Sequence, residues 1–158
     1  MRRGSPLRAT LTSVSFHDMP QDRLTDIDYR RLLELRDGLR RFLKWSAAQA
    51  RQAGLTSAQH QLLLVVRGHD GGPSPTVGEV ARHLLIRHHS AVELVDRCEN
   101  AGLVERVADL VDQRAVRVEL TAKGRRHLAM LSELHLAELG RLAPRLAPIW
   151  SGLGAPPT

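Results

Sequence analysis

The sequence predicts a mainly α-helical protein with a small β-ribbon, and three patterns carry that reading. Apolar residues recur at spacings of three and four, as at Leu32, Leu35, Leu39, Phe42 and Leu43, which is the register of one helix face. Two capping boxes, Thr56-Ser57-Ala58-Gln59 and Thr76-Val77-Gly78-Glu79, mark helix starts. In each, a hydroxyl accepts from an orphan amide and the Gln or Glu side chain reaches back. Finally, Val116-Arg117-Val118-Glu119-Leu120 alternates strictly, the period of a strand.

Residues 1–24, with Gly4, Pro6, Pro20 and several Ser and Thr, read as a flexible arm. Residues 25–54 hold a first helix starting near Thr25 or Asp26. Its apolar stripe is surrounded by Arg30, Arg31, Arg36, Arg40 and Arg41, and Gly54 lies at its end. The run Leu62 to Val66 follows the first capping box and is apolar nearly all round, so a buried helix is expected. Gly68 to Pro75 is a loop. The second box opens a short helix with Val77, Val80, Ala81 and Leu84 inward. From His88 to Asn100, residues Ala91, Leu94, Val95 and Cys98 share a face, and Ala101-Gly102 closes the helix. Leu103 to Val107 reads as a strand and Val116 to Leu120 as its partner, joined by a loop from Ala108 to Ala115. Residues 122–153 are helical: Thr121 caps a long helix carrying Leu128, Leu131, Leu134 or His135, and Leu142. Pro144 suits the first turn of a separate last helix ending near Trp150. Residues 154–158 form a loose tail.

The chain has 158 residues, 42% of them hydrophobic and 25% charged, which suits one globular unit. Aromatics are only 3%, so the core must be aliphatic. No apolar run approaches the roughly 20 residues of a membrane span, and residues 1–15 lack the apolar stretch of a secretory signal. A cytoplasmic protein is expected. One cysteine excludes an internal disulfide and four-Cys zinc frameworks. There is no nucleotide loop and no nucleophile elbow, so an enzyme is not expected, and neither is a cofactor.

The net charge of +6 suggests an anionic partner, most often nucleic acid. Its distribution is uneven. Residues 1–51 hold 11 basic and 6 acidic groups, residues 52–121 hold 7 and 9, and residues 122–158 hold 5 and 2. The excess therefore lies at the two ends, and bulk charge alone does not locate a binding face.

A short capped helix, a turn and a longer helix make a helix-turn-helix, and a β-ribbon directly after it is a wing. In such a unit the second helix enters the major groove, while the wing can place Arg in the narrow, negative minor groove. The stretch from Leu55 to Gly124 resembles the MarR family of bacterial transcriptional regulators. The matching residues are Leu55-Thr56-Ser57-Ala58-Gln59, Val77-Gly78-Glu79-Val80-Ala81, Leu94-Val95-Asp96-Arg97 and Gly102-Leu103-Val104-Glu105-Arg106. Asp112-Gln113-Arg114-Ala115, the most specific piece, follows, with Val116, Val118, Leu120-Thr121 and Gly124.

The resemblance implies a homodimer interlocked through the N- and C-terminal helices, with two winged lobes (residues 55–121) on a roughly palindromic site in double-stranded DNA. It also implies a repressor released by a small aromatic or phenolic ligand bound between the dimerisation helices and the lobe. The DNA-contacting set is then Thr76 at the first helix of the motif, Arg87, His88, His89, Ser90 and Arg97 on the second, and Asp112, Arg114 and Arg117 in the wing. The resemblance gives Asp112 the task of fixing the wing by an ion pair and Arg114 that of entering the minor groove. Alternation leaves Arg117 exposed and able to meet a phosphate. For Arg97 an intramolecular ion pair is an equal alternative. Glu93 departs from the family pattern, since an acid repels phosphate. Adjacent histidines diverge on a helix, so His88 and His89 are poor chelators and no metal is expected. Trp45 and His60 are candidates for lining a ligand pocket beside the first helix, against an ordinary packing role. Cys98, on an apolar helix face, reads as an inert small hydrophobe. A winged-helix module that binds protein and has lost DNA contact is the alternative function.

Overall fold

The computed structural model describes residues 24–70, 72–109 and 115–152. They form five helices and one hairpin: α1 (Asp26–Gln52), α2 (Ser57–Gly68), α3 (Val77–Leu84), α4 (His88–Asn100), β1 (Val104–Ala108), β2 (Val116–Leu120) and α5 (Ala122–Gly152). The mainly helical class with a β-ribbon is borne out.

Both expected capping boxes are present. Gln59 N–H donates to Thr56 Oγ1 at 3.2 Å, Glu79 N–H donates to Thr76 Oγ1 at 3.3 Å, and each Gln or Glu side chain accepts from the cap amide. A third box opens α1, where Thr25 pairs with Asp28. Three helix ends close alike, with a residue in the left-handed region and a 6→1 hydrogen bond behind it. Gly54 (φ 78°) ends α1, with Leu55 N–H on Ala50 O at 2.9 Å. Gly102 (φ 68°) ends α4, with Leu103 N–H on Cys98 O at 2.9 Å. At the end of α3 the left-handed residue is Leu85 (φ 55°), with Ile86 N–H on Ala81 O at 3.1 Å.

The core is aliphatic. Leu62, Leu63 and Val66 of α2 meet Val80 and Ala81 of α3, Ala91, Leu94, Val95 and Cys98 of α4, Val104 and Val118 of the hairpin, and Leu128 and Leu131 of α5. The hairpin is antiparallel, with Val104 opposite Leu120 and Ala108 opposite Val116. Strand β1 starts one residue later than expected, because the Leu103 amide is used in closing α4 and its carbonyl accepts from Thr121 N–H.

Two expectations change. Helix α2 is not buried all round: Leu64 is 52% exposed. Its side chain lines a groove to which α1 and α5 also contribute. The apolar stripe of α1 lies outside the core. Leu32, Leu39 and Leu43 are exposed, and Ala50 is the residue α1 buries. Lastly, the C-terminal region is one helix and not two. Helix α5 runs through Pro144, which removes one N–H but lies on an exposed side, where water can satisfy the Gly140 carbonyl it leaves.

Candidate nucleic-acid interface

Helices α3 and α4 meet across the turn Leu85-Ile86-Arg87, and the hairpin follows α4 directly. The N-terminus of α4 presents Arg87, His88 and His89, all exposed, with Ser90 half-buried behind them. Arg87 occupies the N-cap yet makes no side-chain cap. The first amides of α4 therefore point outward without a protein acceptor from that side chain, as an anion-binding helix end requires. Arg97, one face away, is exposed and has no ion pair among the described residues. Its neighbour Asp96 is taken by Arg106 at 2.5 Å, and Arg106 also holds Glu99, so α4 is strapped to β1.

Thr76 is engaged internally. Its backbone N–H donates to Glu79 Oε2 at 2.8 Å, and its hydroxyl lies 3.0 Å from the same oxygen. These two contacts, the backbone one first, hold the Glu79 carboxyl below its usual value. The hydroxyl also accepts from the Glu79 amide. Arg117 is a correction. It was expected to be exposed, but its side chain is only 20% exposed. Its Nε donates to Asp109, and a second nitrogen donates to Ser74 O at 2.6 Å. Alternation does turn it away from the core. However, the chain before α3 covers that face: Val118 N–H donates to Pro75 O at 2.8 Å, and Thr76 bridges Arg117. Arg117 thus binds the ribbon to the start of α3 and is not presented to a phosphate. Asp112 and Arg114 lie outside the described residues.

A second feature lies where α2 meets α1 and α5. Phe42, Leu43, Ser46, His60, Gln61, Leu64, Ser132 and His135 contribute to an apolar groove of about 470 Å³. Of the two candidate pocket residues, His60 lines it. Trp45 does not; it packs behind, 4.9 Å from the His135 ring and 5.9 Å from Phe42. His60 is 5% exposed, and burial, followed by the nearby His135, holds its imidazole below the usual range. His135 is a residue that sequence reasoning left as an alternative to Leu134. The signal was weak, because helical register alone cannot distinguish a packed histidine from a lining one. Cys98 is fully buried, and burial pushes its thiol up to about 11, against any thiolate role.

A capped helix, a tight turn, an exposed second helix and a strapped antiparallel hairpin define a winged helix-turn-helix protein. Residues 53–127 match the MarR family, and this winged-helix part of the chain is a MarR-family domain. Among solved structures, the chain is similar to AbsC, a MarR-family transcriptional regulator from Streptomyces coelicolor. The identity is 21% over 82% of this chain and 96% of that one, with a TM-score of 0.61. It is also similar to a MarR-family protein from Bacillus stearothermophilus, at 27% identity over 73% and 81%, with a TM-score of 0.56. A mutant MepR from S. aureus, bound to an oligodeoxyribonucleotide, matches at 18% identity over 79% and 97%, with a TM-score of 0.59. No curated protein matches the chain.

Proposed function

We propose that the protein is a cytoplasmic, homodimeric transcription regulator that binds a roughly palindromic operator in double-stranded DNA and acts as a ligand-released repressor. The observation that carries this reading is the N-terminus of α4, where exposed Arg87, His88 and His89 surround an uncapped helix end beside a fixed hairpin. The positive end of the helix and the guanidinium favour phosphate, and the side chains can meet base edges. The MepR structure with an oligodeoxyribonucleotide supports DNA as the partner.

Exposed aliphatic residues on both terminal helices support the dimer. Ile27, Leu32, Leu33 and Leu39 of α1 and Met130, Leu134 and Leu136 of α5 exceed what a lone domain leaves in water. Residues 25–54 and 122–153 would then interlock with a second copy, setting two winged lobes (residues 55–121) about one helical turn of DNA apart. The groove along α1, α2 and α5 suits a small aromatic or phenolic effector. Such a ligand represses or releases only through different affinity for the two states.

The test is an anisotropy titration against the DNA upstream of the protein's own gene at two salt concentrations. Binding that weakens with salt, and weakens further in Arg87→Ala and Arg114→Ala, establishes the reading, because phosphate contacts release counterions. Equal, salt-insensitive binding to any DNA would instead favour the protein-binding module, which the acidic balance of residues 52–121 and the exposed Glu93 favour.

A further inference from the structure

We propose that His60 and His135 form a proton-operated latch: proton uptake by the pair releases α2, and the lobe it belongs to, from α1 and α5. The rings face each other across the seam with centroids 4.7 Å apart. His135 Nδ1 lies 2.6 Å from the Leu131 carbonyl, which can only accept, so Nδ1 carries the hydrogen. In the neutral ring Nε2 is then an acceptor, and it takes the Ser46 hydroxyl at 2.7 Å. Neutral His135 therefore ties α5 to α1 and offers its ring to His60 on α2.

A proton on either ring breaks this arrangement. On His135 it makes Nε2 a donor, so the Ser46 hydroxyl must turn and find another acceptor. On His60 it places a cation in a buried site, which burial disfavours, and once both rings carry a proton the two charges repel at that distance. Burial already disfavours the charged form of His60.

Among the described residues, none supplies a compensating anion to the pair. From α1 the pair meets Phe42, Trp45 and Ser46, none of them acidic. On α5 the carboxylates flanking His135 are Glu133, exposed and two residues away and so turned to another side of the helix, and Glu138, which is committed to Arg141 at 2.6 Å. The core faces that α3 and α4 turn inward are aliphatic. On β2, Arg117 is held by Asp109 and Glu119 accepts from Ser74. The groove beside the pair gives water and protons a route in.

The latch itself is independent of DNA; its regulatory consequence rests on the proposed DNA binding. The histidines at the start of α4 act with the opposite sign, since protonated His88 and His89 would strengthen phosphate contact, so variants are needed to separate the two effects.

The experiment is deuterium uptake of α2 in the full chain at about pH 7.5 and about pH 5.5, corrected for intrinsic exchange, in the wild type, His60→Gln and His135→Gln. The wild type should lose protection by about tenfold or more at the lower pH, and each variant should lose far less. Equal protection at both pH values in the wild type, or an equal loss in the variants, overturns the latch. If the variants do not fold, ring-proton titration of the wild type decides. His60 and His135 titrating together, in the window where protection is lost, support the latch, and titration outside that window overturns it. A parallel DNA titration separates the two readings: lost protection with no DNA bound at any pH sinks the regulator and leaves the latch standing.

Discussion

The Arg117 guanidinium binds the buried Asp109 carboxylate and the Ser74 carbonyl together, joining both arms of the hairpin to the chain that leads into α3. The ribbon and the first helix of the motif therefore move as one body. The second strap, Asp96 and Glu99 on Arg106, does the same between α4 and β1. The wing is aimed by ion pairs at its base, and its direction relative to α4 is fixed before any DNA arrives.

Arg117→Met tests that role. It keeps much of the volume and removes the charge, leaving a buried carboxylate with a partner lost. The expected destabilisation is about 2–4 kcal/mol, since breaking a buried pair exposes the desolvation penalty of the remaining charge. Urea denaturation measures it. Because Arg117 is engaged by Asp109 and the Ser74 carbonyl, its own loss should remove no counterion, whereas Arg87→Ala should flatten the salt slope of DNA binding by about 0.9. A slope change for Arg117→Met like that of Arg87→Ala, in a protein of unchanged stability, would return Arg117 to the DNA.

The turn between α3 and α4 holds two residues that stability alone would not choose. Leu85 adopts φ 55° and is 90% exposed, where the equivalent positions after α1 and α4 are glycines. Leu85→Gly should stabilise by about 1 kcal/mol, from relief of left-handed strain, raising Tm by a few degrees. Arg87 sits at an N-cap without capping it. Arg87→Ser should add about 1 kcal/mol through a new cap and at the same time weaken DNA binding. Thermal melts and anisotropy on the same samples read both. Unchanged DNA affinity in Arg87→Ser would remove Arg87 from the interface.

Local chemistry was legible in the sequence; contacts made across the chain were not. The boxes at Thr56 and Thr76, the span His88 to Asn100 and the strand Val116 to Leu120 all came from neighbours within a few residues. The box at Thr25 was missed because Asp28, and not Glu or Gln, stands at its third position. Arg117 was misplaced because alternation gives the face of a residue but not what covers it, here a segment more than forty residues earlier. His135 escaped for the same reason: its partners Ser46 and His60 sit on two other helices.

Gly124 is fixed by close approach. A Cβ there would stand 2.0 Å from the Leu103 carbonyl oxygen, which itself accepts from Thr121 N–H. Helix α5 starts flush against the end of α4, with Thr121 Oγ1 donating to Gly102 O at 2.7 Å and accepting from Gly124 N–H at 3.0 Å. Gly124→Ala must push α5 off this seat, so the gain in helix propensity is outweighed and a loss of about 3 kcal/mol is expected. Gly140→Ala, with nothing near its Cβ, should instead stabilise by about 0.5–1 kcal/mol. Urea titrations of the two variants should move in opposite directions, and a neutral Gly124→Ala would mean that α5 does not sit on Leu103.

Stability should fall with acid through His60. Its imidazole is held below the usual value when folded, by burial first and by His135 second, and returns to about 6.5 when the chain unfolds. Above that value both states are neutral at this site and no penalty exists. As pH falls through 6.5 the unfolded chain takes up a proton that the folded chain refuses, so folding free energy is lost until pH reaches the folded value. His60→Leu removes this site's share of the slope. In denaturant unfolding between about pH 7.5 and pH 5, the wild type should lose more stability than His60→Leu, whatever the replacement does to stability at neutral pH. Histidines away from the pair contribute alike to both proteins and cancel in the difference, while His135, which faces His60, is counted with it. Parallel pH profiles for the two would show that His60 is protonated as readily in the fold as outside it.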